Sequence, residues 1–166
     1  MAIDDTLFRA LFAAQPAGVC VVTAVGADGR PSGLTLSAVC SASRNPPLLL
    51  VCLDNGSRTL DAVRHAGTFA VNFLAVGQEG LAGLFAGKST DKFADLAWRP
   101  SAAAEGAPLL PADRVSAYAE CRVVDEIPAG DHRVLLGRID GAGVGSSVPL
   151  VHHRRDYVRL PVPSRL

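Results

Sequence analysis

The sequence predicts a mainly β fold, an antiparallel barrel with peripheral helices, and three observations predict it. About seven segments have the length and the β-branched, apolar or alternating character of strands. They follow one another through turns rich in Gly, Pro, Asn and Asp, which disfavours a doubly wound sheet. Only three stretches carry helical spacing, too few for a helix after every strand.

Taken in order, the first helix is expected over roughly 6–14, where Leu7, Phe8, Leu11 and Phe12 share a face, Asp4, Asp5 and Thr6 offer N-caps, and Pro16 ends the run. The β-branched run from Gly18, GVCVVTAV, meets the turn Gly26-Ala27-Asp28-Gly29 and predicts a hairpin. Its return strand reads from Ser32 to Ser43, with Thr35, Ser37, Ser41 and Ser43 of one parity and so on one polar, uncharged face. Pro46-Pro47 interrupts the chain, and the continuous apolar run Leu48 to Leu53 reads as a core strand covered on both sides. After the turn Asp54-Asn55-Gly56-Ser57, Ser57 can cap a helix from Arg58 to Ala66 that Gly67 closes in the left-handed conformation.

A further strand, TFAVNFL, starts at Thr68, and Gln78 to Ala86 is helical by the spacing of Leu81, Leu84 and Phe85. Gly87 to about Pro111 is expected to be an irregular loop, of a length usually tied to function. The last third alternates again. VSAYAECRVV leads to a turn at Pro128 to Asp131, then HRVLLGRI, a Gly-rich turn at Gly141 to Gly145, and a closing strand PLVHHRRDYVRL.

Of the 166 residues, 49% are apolar and 19% charged, which gives the chain enough apolar surface to fold, and its length fits one domain over residues 1–166. Sixteen basic residues balance sixteen acidic ones without clustering, so no nucleic-acid partner is expected. The longest uncharged run, from Ala10 to Ala27, is interrupted by Gln15, Pro16 and Gly18, so no membrane span is expected. Asp4 and Asp5 stand where a secretory signal carries positive charge, and a cytoplasmic protein is the expectation. Cys20, Cys40, Cys52 and Cys121 lie in apolar runs without a CxxC pair and read as free, buried thiols.

Several chemistries are excluded by spacing. GLFAGKST misses the phosphate-cradling P-loop by one residue, since Ala82 stands where the first Gly belongs, and Gly141, Gly143 and Gly145 do not make a dinucleotide fingerprint. His152 and His153 are adjacent on a strand and face opposite sides, so they do not converge on a metal. No GxSxG elbow is present. On residue logic alone His132 is a turn histidine, and the hydroxyl-rich strand is either a solvated sheet face or the edge that binds a flat cofactor.

The order PAGVCVVTA, GLTLSAVCSASRNPPLLLVC, TFAVNFL, FA followed by DKF and Trp98, AECR, GDH and PLVHHRRDYVRL resembles the flavin reductase-like family, over roughly Phe8 to Leu160. The resemblance implies an FMN-binding split barrel of Greek-key topology that forms a homodimer. It implies hydride transfer from NADH, or NADPH, to FMN or FAD, with reduced flavin delivered to a partner flavin-dependent monooxygenase. The protein would supply stacking and edge hydrogen bonds rather than an acid–base pair.

Carried over by position, Thr35, Leu36, Ser37 and Ala38 would line the flavin ring edge, and Ser41 and Ser43 the ribityl and phosphate side, with Asn55 and Ser57 at the following turn. Ala86 would contact the cofactor, the DKF residues Lys92 and Phe93 would lie on the phosphate side, His132 would position the nicotinamide, and Tyr157 would cover that pocket. Ala38 stands where many members carry a hydroxyl or amide. Three alternatives remain at this point: a flavin-binding electron carrier without dinucleotide activity, a reductase that keeps its flavin and reduces another acceptor such as ferric iron, and a structural barrel that binds neither ligand.

Overall fold

The structure is a computed structural model and describes residues 2–161. In chain order its elements are α1 (Asp5–Ala13), β1 (Ala17–Gly18), β2 (Cys20–Val25), β3 (Pro31–Leu36), β4 (Val39–Arg44), β5 (Pro47–Asp54), α2 (Arg58–Ala66), β6 (Thr68–Leu74), α3 (Glu79–Ala86), β7 (Arg99–Pro100), β8 (Pro108–Leu109), β9 (Val115–Ala129), β10 (His132–Val144), β11 (Leu150–His153) and β12 (Asp156–Arg159). Among the described residues the fold is mainly β and antiparallel with three helices. The expected caps hold: the Asp4 side chain accepts from Leu7 N, that of Ser57 accepts from Thr59 N, and Gly67 closes α2 at φ +67°.

Seven strands form one sheet in the order β3-β2-β6-β9-β10-β5-β4. The two edge strands, β3 and β4, are consecutive in the chain and joined by Ser37 and Ala38 alone. Flat, seven strands hold their edges about 29 Å apart, whereas the Leu36-to-Val39 link reaches at most about 11 Å. The sheet therefore curls until the end of β3 and the start of β4 lie within that reach. Inside lies a core of Val22, Val51, Leu53, Phe69 and Leu135, sealed by Leu60 and Val63 of α2. A second cluster, with Phe85 of α3, Phe93, Leu74 and Leu150, packs on the opposite face of β2 and β6.

Several expectations are corrected. The return strand Ser32 to Ser43 is two strands on opposite edges, and a register shift between Ser41 and Ser43 breaks the alternation, so Thr35, Ser37, Ser41 and Ser43 share no face. Leu48 to Leu53 is fully buried only at alternate positions, Leu49, Val51 and Leu53. The strands covered on both faces are β2 and β6, which lie between the two cores.

The expected turn at Gly141 to Gly145 does not form, because β10 runs unbroken through Gly141 and Gly143 against β9. A Cβ at either glycine would collide with the Glu120 or Tyr118 side chain. The closing segment is a hairpin, β11 to β12, turned by Arg154 and Arg155 at φ +52° and +68°. The long loop contains the short ladder β7–β8, tied down by the buried Asn72. The Asn72 amide donates to Pro108 O at 3.2 Å and accepts from Leu110 N at 2.9 Å. Cys20 and Cys121 are buried, but Cys40 is exposed and Cys52 only half-buried, since both lie on the outer side of the β4–β5 pair.

Candidate functional site

Two cavities open along β3. The larger, of about 870 Å³, lies over Pro31 to Leu34, between the β2–β3 turn, the start of α2 and the segment after α3. Of the expected site residues it is lined by Ser57, Ala86, Lys92 and Phe93. The smaller, of about 210 Å³, is lined by Val19, Thr35, Leu36, Ser37, His152 and Tyr157.

Polar groups in the larger cleft converge from three elements. Ser57 caps α2, accepting from Thr59 N at 3.2 Å, so its own O–H remains a donor. Lys92 reaches under the cleft and donates to Gly33 O at 3.1 Å and to Phe85 O at 2.7 Å, which leaves one ammonium proton for a ligand. Burial, and then the nearby Arg58, hold its pKa below that of an ordinary lysine. Arg58 lines the same cleft and donates to Ser89 O at 2.6 Å. Arg58, Lys92 and the N-terminus of α2 make a setting for an anion such as phosphate, in a cleft that Arg30, Lys88, Asp28, Asp54 and Asp61 also line.

At the smaller cavity Thr35 spends its hydroxyl on Ala82 O, 2.8 Å away, which turns the side chain toward α3. The edge position of β3 leaves its outward backbone groups free of sheet partners. His152 and Tyr157 are opposite in the β11–β12 register, with ring centroids 5.6 Å apart. Ala38 accepts from Cys52 N at the crossing between the sheet edges. Ser41 is exposed and Ser43 half-buried on β4, and neither lines either of these two cavities.

His132 opens β10 opposite Asp54, a residue of the larger cleft. Its Nδ1 lies 2.8 Å from Asp131 Oδ1, and the hydrogen bond from the imidazole holds the Asp131 carboxyl below the usual range. Asn55 does not project freely: its amide is engaged by Gly130 and Arg133.

Sequence reasoning missed Arg58 and His152. A cation in the first turn of a helix opposes the macrodipole, and that misfit was the available signal for Arg58. For His152 no local signal existed. Among the described residues no cluster of three or more His, Cys, Asp or Glu side chains could hold a metal, and no helix is long and apolar enough to cross a membrane. Burial pushes the Cys20 and Cys121 thiols up to about 12, so neither supplies a thiolate.

Residues 12–161 match the family described as Flavin reductase like domain. The chain is 46% identical over 162 residues to a flavin reductase (NADH) of Kitasatospora aureofaciens, covering 96% of this chain and 84% of that one. Among solved structures it resembles a Streptomyces globisporus NADH:FAD oxidoreductase in complex with NAD and FAD fragments, with TM-score 0.89, 30% identity and 99% of each chain covered. It also resembles a nitrilotriacetate monooxygenase component B from Mycobacterium thermoresistibile, with TM-score 0.87 and 30% identity, covering 98% of this chain and 92% of that one.

Proposed function

The chain belongs to the flavin reductase like family, and from that premise we propose which of its residues carry the reaction. It is a flavin reductase, an oxidoreductase that uses a nicotinamide dinucleotide to reduce a flavin for use by a monooxygenase. When bound, the flavin supplies the ring that accepts the hydride. The residues here fit such a ligand, with Arg58, Lys92 and a helix N-terminus for a phosphate and an uncharged strand edge for a flat ring.

Arg58, Lys92 and Ser57 hold the phosphate, with Ala86 and Phe93 walling the cleft. Backbone groups from Thr35 to Ala38 bond the ring edge, so Ala38 in place of a hydroxyl or amide residue costs a side-chain contact but not the backbone one. His132, oriented by Asp131, positions the nicotinamide, and Tyr157 with His152 closes the smaller cavity. The convergence of Arg58 and Lys92 on one cleft is the observation that carries this reading.

Arg58→Ala tests it. A charge-assisted hydrogen bond contributes about 1.5–3 kcal/mol, so FMN affinity should fall about 10- to 100-fold while riboflavin, which lacks the phosphate, binds as before. Equal loss for both ligands would overturn the phosphate assignment.

The same reading takes the curled sheet as a split barrel, the protein as cytoplasmic and the flavin as a cosubstrate that leaves. It also takes the assembly as a homodimer. Support comes from α1, where Leu7, Phe8, Leu11 and Phe12 are each more than half exposed. A second unpartnered apolar patch faces outward from β5 and β10, at Leu48, Leu50, Val134 and Leu136.

A further inference from the structure

The turn that carries His132 is clasped from outside its own hairpin. Strands β9 and β10 are joined by Gly130 and Asp131, with Gly130 at φ +65°. Asn55, in the turn between β5 and α2, binds both residues. Its backbone N–H donates to Asp131 O at 3.0 Å, and its side-chain Nδ2 donates to Gly130 O at 3.0 Å.

The amide has one orientation available. Arg133 Nε donates to Asn55 Oδ1 at 3.2 Å, so the group turned toward Gly130 O is the NH₂. Arg133 is held in turn by Glu126, 3.6 Å away, and the Glu126 carboxylate receives Arg64 of α2 through both Nε and Nη2. A continuous chain of polar contacts thus runs from α2 through the hairpin to the turn beside His132, and every partner Asn55 engages belongs to that turn or braces it.

We propose that Asn55 is a positioning residue for His132: it locks the Gly130–Asp131 turn so that the imidazole meets the dinucleotide in one orientation. The inference rests on the role given to His132 above and adds a residue that acts through it rather than through the flavin. A misplacement of about 1 Å at a reacting pair costs up to about 100-fold in rate, and loosening the turn by removing the side-chain bond to Gly130 O, with the backbone bond to Asp131 O kept, falls within that range.

The test is a double-mutant cycle read in steady-state kinetics with NADH at saturating flavin, alongside flavin affinity by fluorescence titration. Asn55→Ala should lower kcat/KM for NADH about tenfold with flavin affinity changed less than about twofold. Asn55→Asp is nearly isosteric and keeps the acceptor for Arg133 but cannot donate to Gly130 O. It should show the same loss, and it serves where the alanine variant folds poorly. The double variant Asn55→Ala/His132→Ala should be no worse than His132→Ala alone, because one residue acts through the other.

Losses that multiply in the double variant, or flavin affinity falling with the rate, would overturn the proposal. So would unchanged kcat/KM in both Asn55 variants while His132→Ala is impaired, a result that leaves the His132 role standing. Full activity in His132→Ala would instead remove the reading on which the proposal rests.

Discussion

Gly33 is the position where the fold, the cleft and the cation meet, and replacing it with alanine is the sharpest perturbation available. A Cβ there would lie 2.6 Å from Cε1 and 2.8 Å from Cδ1 of Phe85, and 3.3 Å from Cζ of Phe93. Ordinary contact begins at 3.4 Å, so the Phe85 ring has to retreat by about 0.8 Å. It has nowhere to go, being fully buried and packed edge-on against Phe93 at 5.0 Å. Overpacking of this kind costs about 1–3 kcal/mol. For a chain of this length each kcal/mol lowers Tm by about 2–4 °C, which gives a fall of about 2–12 °C.

Function should follow, because Phe93 walls the larger cleft and Lys92 donates to Gly33 O. FMN affinity is expected to drop together with Tm. Thermal melts and flavin titrations read both effects. Phe85→Leu, which removes the offending ring edge, should cost less in the Gly33→Ala background than in the parent. A Gly33→Ala protein that melts within about 1 °C of the parent and binds FMN equally well would refute the packing argument.

Three further outcomes are expected. Lys92 has a folded-state pKa below the ordinary value near 10.4, so between the two pKa values the unfolded chain holds a proton that the folded one lacks, and stability rises with pH across that window. FMN affinity should weaken as pH rises through the lowered pKa, before an ordinary lysine titrates, and riboflavin affinity should not; parallel titrations of the two ligands check this. A thiol reagent on the native protein should modify Cys40 first and Cys52 slowly, leaving Cys20 and Cys121 unreacted until unfolding. If the β5–β10 face pairs two copies, the Cys40 rate should fall as protein concentration rises, whereas four fast thiols would contradict the burial. Asn72→Ala, which strips Leu110 N of its buried acceptor while Pro108 O keeps Thr23 Oγ1 as a donor, should cost about 1–3 kcal/mol, with Tm lower by about 2–12 °C in a thermal melt.

Much of this architecture was legible wherever local chemistry decides it. Asp4, Ser57 and Gly67 announced helix ends, Gly26 to Gly29 announced the first hairpin, and β6 stood out as an apolar run between a Gly and a helix. The crossing from β3 to β4 was not legible, because Ser37 and Ala38 carry no turn residue and a strand period of two continues across them. What separates the two strands is pairing with β2 on one side and β5 on the other, a long-range fact.

Gly141 and Gly143 misled for the opposite reason. They read as turn residues, but they are glycines because partner side chains on β9 fold over them. The lining of the larger cleft was half legible, with Ser57, Lys92 and Phe93 expected and Arg58 not, and His152 became visible only once β11 lay beside β1.

The measurement that bears most directly on the central claim is oxidation of NADH and of NADPH by the purified protein, followed by the loss of their near-ultraviolet absorbance, with FMN or FAD added or omitted. The account predicts turnover that requires added flavin and saturates with it. Turnover in no combination, with flavin still bound, would contradict it and leave a flavin carrier in place of a reductase.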